Sequence, residues 1–130
     1  MAQPEVGSTW VRIRTFTQGD FDRFAALSGD DNPIHVDADY SAATVFERPV
    51  AHGMLLYSCL CGLLSEAFPA SVQEGQELKF PAPTFTGEEM TLRAEVTAMD
   101  GLRVTVAVEV VDPDGTPTCI GEAMLRLGAG

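Results

Sequence analysis

Val50 to Phe68 is the most apolar stretch of this 130-residue chain. On a helical wheel Met54, Leu55, Leu56, Tyr57, Leu60, Leu63, Leu64 and Phe68 point in nearly every direction. A helix that is apolar all round has to be buried on all sides. In a domain this small, a curved sheet wrapped around one helix meets that demand most readily. The run is interrupted and falls well short of the ~18 residues of a membrane span, so the expected surroundings are protein and not lipid.

The flanking segments supply the wrapping. Trp10 to Phe16 alternates Trp10, Arg12 and Arg14 with Val11, Ile13 and Thr15, the period of a strand. Thr17 then reads as a helix N-cap, with Asp20 three residues on as an approximate capping box and Phe16 and Phe21 at the staple positions. Phe21, Phe24, Ala25 and Leu27 follow at helical spacing, and Gly29 suits a left-handed cap. Asp37 to Phe46 reads as a second short helix, broken by Arg48-Pro49. Beyond the apolar stretch come strands over Val72 to Phe80, Thr91 to Met99, Arg103 to Val111 and Cys119 to Leu127. Asp100-Gly101 is a hairpin signal, and Asp112-Pro113-Asp114-Gly115 marks another turn. The pattern predicts an α+β domain, an antiparallel sheet around a long central helix.

One segment carries chemistry. Ser28-Gly29-Asp30-Asp31-Asn32-Pro33-Ile34-His35 sets a carboxylate and an imidazole five residues apart with a proline between them. Proline lacks an N–H and restricts the residue before it, so the segment is expected to bend. A bend can aim Asp30 and His35 into one space, and that pair can hold and deprotonate a water near neutral pH. The chain has only two histidines. An Asp before Asn-Pro is also an ordinary turn former, and His52 beside a helix start reads as a structural hydrogen bonder. Asp30, Asp31, His35, Asp37 and Asp39 do not make a calcium loop: Ile34 stands where an oxygen ligand is required, and the glycine that should follow is missing. A hydrated acidic surface is expected there, with no metal.

Composition excludes several partners. The net charge of −11 argues against nucleic acid, which needs a basic face, and against an anionic membrane surface. Cys59, Cys61 and Cys119 are odd in number and lack disulfide or zinc spacing, which points to a reducing compartment. Met1 to Thr9 has no apolar core of the kind a secretory signal carries. The expectation is a soluble cytoplasmic protein.

The loop resembles the hydratase-2 motif of the MaoC-like (R)-specific enoyl-CoA hydratases. Phe46-Glu47-Arg48-Pro49-Val50-Ala51-His52-Gly53-Met54-Leu55 is similar to the stretch that follows it in that family, and Phe80, Pro83 and Gly87-Glu88 resemble its next strand and turn. The likeness runs from about Thr15 to Leu127. It implies the hot-dog fold, one domain over residues 1–130, and an acyl-CoA or acyl-carrier-protein thioester as substrate, without cofactor. Position by position it makes Asp30 and His35 the catalytic pair and Asn32 a substrate-side residue that positions the loop. Gly53 would offer its N–H to the thioester oxygen, although a glycine there also permits tight helix packing. The resemblance leaves the phosphate-binding residues open among eight basic side chains, Arg48 being nearest the motif. Spacing offers Tyr57, Cys61 and Leu64 as limits on acyl length, with core packing the default for each. Hot-dog domains pair edge to edge, so a homodimer is expected. A hot-dog thioesterase, a 3-hydroxyacyl-carrier-protein dehydratase and a non-catalytic acyl-binding subunit are the competing readings; the intact Asp-x-Asn-Pro-x-His loop disfavours the first and the last.

Overall fold

The computed structural model describes residues 4–128, so the extreme ends of the expected 1–130 domain lie outside the described residues. The elements run β1 (Thr9–Thr15), α1 (Gln18–Ser28), α2 (Pro33–Val36), α3 (Ala38–Ala42), α4 (Gly53–Ala67), β2 (Val72–Lys79), β3 (Glu89–Asp100), β4 (Arg103–Val111) and β5 (Pro117–Arg126). The five strands form one antiparallel sheet in the order β1-β3-β4-β5-β2. Helix α4 packs across its inner face, touching β1, β3, β4 and β5. This is the α+β hot-dog arrangement.

Strand alternation builds the core. Met90, Leu92, Ala94 and Val96 of β3 and Val104, Val106, Val108 and Val110 of β4 are buried against Leu56, Leu60, Leu63 and Leu64 of α4. Leu60 is fully enclosed. Gly121 of β5 pairs with Leu78 of β2, and a Cβ there would lie 1.9 Å from the Glu77 carbonyl oxygen. The two strands can approach only because position 121 is bare. On β1 the inner face is Trp10 and Arg12, paired with Ala94 and Leu92, while Val11 and Ile13 face solvent. Arg12 forms an ion pair with Glu66 of α4, and Trp10 meets Phe68 edge to face at 4.9 Å.

Two expectations need correction. Helix α4 is not buried on all sides. Met54, Ser58, Gly62 and Ser65 form a stripe open to solvent at helical spacing, and three of these four are small residues that the count of apolar positions passed over. Val50 lies outside the helix. It is extended, bridges to Phe85, and donates a 3.0 Å hydrogen bond from its N–H to the Ile34 carbonyl. The helix expected over Asp37 to Phe46 is shorter, ending at Ala42. Thr44 closes that turn, its hydroxyl donating to the Ser41 carbonyl at 2.7 Å. A further helical turn, α2, begins at Pro33. Proline there starts a helix, since its missing N–H falls at a position with no intrahelical partner.

Helix α1 follows its capping signals. The Thr17 side chain accepts from the Asp20 N–H at 3.1 Å, Asp20 accepts from the Thr17 N–H at 2.9 Å, and Gly29 closes the helix at φ 79°. Phe16 and Phe21 are both fully buried. The next residue is Asp30, so a capped and anchored helix delivers it.

Candidate active site

Separate pieces of chain converge on one cavity of about 530 Å³: the loop after α1, α2, Phe46, the segment from Val50 into the start of α4, the segment from Phe80 to Thr84, and Thr118 of β5. Its wall includes Asp30, His35, His52, Gly53, Phe80 and Thr84. The volume is that of a small-molecule pocket. Prolines at 81 and 83 cannot donate to a ladder, which takes the chain out of β2 and across the cavity.

Local structure sets the pair. Asn32 caps α2, its Oδ1 accepting from the Ile34 N–H at 3.2 Å. His35 therefore points inward from the first turn and is buried. Its Nδ1 lies 2.8 Å from the Val50 carbonyl oxygen. A carbonyl only accepts, so Nδ1 carries the hydrogen and Nε2 of the neutral ring is a bare base. That nitrogen faces Asp30 Oδ2 at 3.9 Å. The gap is too long for a direct hydrogen bond. A water about 2.8 Å from each would subtend roughly a right angle and could donate one hydrogen to each.

Gly53 opens α4, and His52, the N-cap, makes no side-chain cap bond. The first N–H groups of the helix thus carry its positive dipole end without a capping acceptor. A Cβ on Gly53 would lie 2.8 Å from the Phe80 ring, so the ring can sit where it does only over a bare position 53.

His52 belongs to the same cluster. Its ring stacks on His35 with centroids 3.8 Å apart and planes 23° apart, and meets Phe24 edge to face at 4.9 Å. Its Nε2 is 2.8 Å from the Asp30 carbonyl oxygen. Burial, and to a lesser extent the charge of His35, pushes its pKa below the usual histidine value, against an opposing pull from Asp30. Ligand atoms of Asp30, His35 and His52 lie within 4.8 Å of one another. They fit a metal poorly. A zinc–imidazole bond is about 2 Å long and lies in the ring plane, whereas two rings stacked at 23° have planes that meet far beyond that reach.

Other residues singled out from the sequence sit elsewhere. Arg48 is exposed and stacks its guanidinium 4.0 Å from the Phe85 ring centroid, bracing the loop outside the cavity wall. Tyr57 is buried toward β2, its hydroxyl donating to Gln73 Oε1, and burial pushes its pKa well up. Cys61 accepts from Gln73 Nε2 at 3.7 Å in the same cluster. Neither lines the cavity; Leu56 and Thr118 do. Leu56 was legible from its position three residues after Gly53, one helical turn on. Phe80 and Thr84 had only the Pro81 and Pro83 signal.

The MaoC like domain family matches residues 3–114. An (R)-specific enoyl-CoA hydratase of Aeromonas caviae is 40% identical over 127 residues, covering 95% of each chain. One from Rhodospirillum rubrum is 38% identical over 95 residues, 72% of this chain and 66% of its own. Among solved structures, an (R)-hydratase of A. caviae involved in PHA biosynthesis superposes with a TM-score of 0.91 at 38% identity, covering 95% of this chain and 97% of that one. An R-hydratase of Pseudomonas aeruginosa, unliganded, gives 0.90 at 32%, covering 97% and 83%. With most of its length matched and its Asp30–His35 loop built as described, the chain belongs to the MaoC-like domain family.

Proposed function

We propose that this chain is an (R)-specific enoyl-CoA hydratase, adding water reversibly and syn across a trans-2-enoyl thioester to give the (R)-3-hydroxyacyl product. The observation that carries the reading is the 3.9 Å gap between Asp30 Oδ2 and the bare Nε2 of His35, opening on a cavity that the start of α4 also reaches. Asp30 and His35 hold one water and remove its proton. The oxygen bonds to C3, the C2–C3 π electrons move toward the carbonyl, and the proton returns to C2 on the same face. The Gly53 N–H stabilises the charge that develops on the thioester oxygen. Asn32 holds the loop that presents the pair.

The substrate is an acyl-CoA, or an acyl chain on a carrier protein. The reverse reaction uses the same groups and is a 3-hydroxyacyl dehydration. The working protein is a homodimer, joined edge to edge; β1 and β2 leave ladder groups unpaired at the two sheet edges. We place it in the cytoplasm: the cysteines are free and no helix among the described residues is long and apolar enough to cross a membrane.

The test follows the conjugated enoyl absorbance when the purified protein meets short and medium trans-2-enoyl-CoA, with chiral analysis of the product. Loss of absorbance with (R)-3-hydroxyacyl-CoA formed is the expected result. Release of free thiol instead would put the water on the thioester carbonyl and replace this reading with a thioesterase.

A further inference from the structure

His52 touches every part of the proposed machinery without facing the reacting atoms. Its Nε2 is 2.8 Å from the Asp30 carbonyl, so that nitrogen carries the hydrogen. Its face covers the His35 ring at 3.8 Å. Its own backbone carbonyl accepts the first hydrogen bonds of α4, from the Leu55 and Leu56 N–H groups at 3.1 and 3.4 Å, and shares a peptide unit with the Gly53 N–H. Phe24 of α1 meets the same ring edge to face at 4.9 Å. The residue is 2% exposed.

We propose that His52 is the positioning residue of this site, one side chain that fixes the Asp30 backbone and the His35 ring plane relative to one another. This rests on the hydratase reading above. Without the Nε2–H donor the Asp30 carbonyl is left unpaired, and the carboxylate loses its register with His35. Without the ring, His35 has a gap on one face and can tilt about its bond to Val50. The tautomer is fixed by elimination: with Nε2 donating, neutral His52 leaves Nδ1 bare. Among the described residues, that atom and Thr84 Oγ1 are the buried side-chain atoms without a partner. The ionisable groups against His52 are Asp30 and His35; Phe24 adds none. A charge on His52 would sit in stacking contact with His35 just as His35 takes the water's proton, and burial opposes that charge.

The experiment compares wild type, Asp30→Asn, His52→Phe and His52→Gln for kcat and KM on a short trans-2-enoyl-CoA. In parallel, the two histidine rings of the wild type are read by nitrogen NMR. Phe keeps a ring and removes the donor; Gln restores a donor near the same place. Since a misplacement of about 1 Å costs on the order of 100-fold, His52→Phe should lower kcat by roughly 10- to 100-fold with KM within about threefold, and His52→Gln should recover most of it. The rings should show opposite neutral tautomers, Nδ1–H on His35 and Nε2–H on His52. A merely structural role would lower the folded fraction and leave kcat per folded molecule unchanged. A folded His52→Phe with wild-type kcat overturns the inference, as does an Nδ1–H tautomer on His52; the tautomer decides the matter if His52→Phe does not fold. Absence of turnover in the wild type would instead remove the hydratase reading.

Discussion

Gly53 lies directly beneath the ring of Phe80, close enough that a Cβ at position 53 would stand 2.8–2.9 Å from three atoms of that ring. The glycine that starts α4 and the aromatic that follows β2 therefore share one wall of the cavity. Gly53→Ala should force Phe80 out and disturb the first N–H of the helix, lowering kcat on the order of 10- to 100-fold. Phe80→Ala should relieve the clash. A double-mutant cycle on stability should then show favourable coupling between the two changes, about 0.5–3 kcal/mol. Additive losses would mean that the ring simply swings aside.

Asp30 tests the base. Asp30→Asn preserves shape and removes the charge, and kcat should fall by roughly 10²- to 10⁴-fold, the range for a misassigned or missing general base. Half of the Asp30 side chain is open to solvent, so melting temperature should change little. A near-wild-type rate would leave His35 to act alone.

Stability should depend on pH through His52. Its folded pKa lies below the usual 6.5 because burial disfavours the charged ring. In the interval between the two values the unfolded chain binds the extra proton, so stability rises with pH there. It is therefore expected to decline as pH falls through about 6.5, down to the lower folded value, and to be flat in this respect above it. Urea midpoints between pH 8 and pH 5 would show this, and His52→Gln should remove that part of the slope.

Leu60 tests the wrapped core. It is fully buried where α4 meets the sheet, and Leu60→Ala should cost about 2–5 kcal/mol. Gly121→Ala should be worse for its size, because backbone sits 1.9 Å from the new Cβ and cannot yield as a side chain can. Urea denaturation of both variants measures the difference. A mild Gly121→Ala would mean that β2 shifts on β5 without loss.

What could be read in advance was what neighbours in sequence decide. Thr17 and Asp20 cap α1 because each can reach the other's backbone three residues away. Asp30 and His35 lie five residues apart, one in the loop after α1 and the other in α2, so a local bend brings them near each other. The functional wall built from distant segments was less legible. Phe80 and Thr84 reach the cavity through the Val50–Phe85 bridge and the 2.8 Å hydrogen bond from the Ala51 N–H to the Thr84 carbonyl, long-range events that spacing does not encode. Tyr57 was a reasonable choice for the acyl wall, but one residue is about 100° around a helix. Leu56 faces the cavity and Tyr57 faces Gln73. His52 was assigned a structural hydrogen bond, and it has one; the stack on His35 depends on where α2 docks.

The hydrogen bond from His35 Nδ1 to the Val50 carbonyl bears on how this scaffold can be altered. The acceptor is main chain, present whatever side chain occupies position 50. The placement of the hydrogen on Nδ1, and so the choice of Nε2 as the bare nitrogen, does not depend on which side chains line the cavity wall. A library varying Phe46, Leu56 and Phe80 to admit new acyl groups can reshape the chamber while the backbone goes on holding the His35 ring and its tautomer.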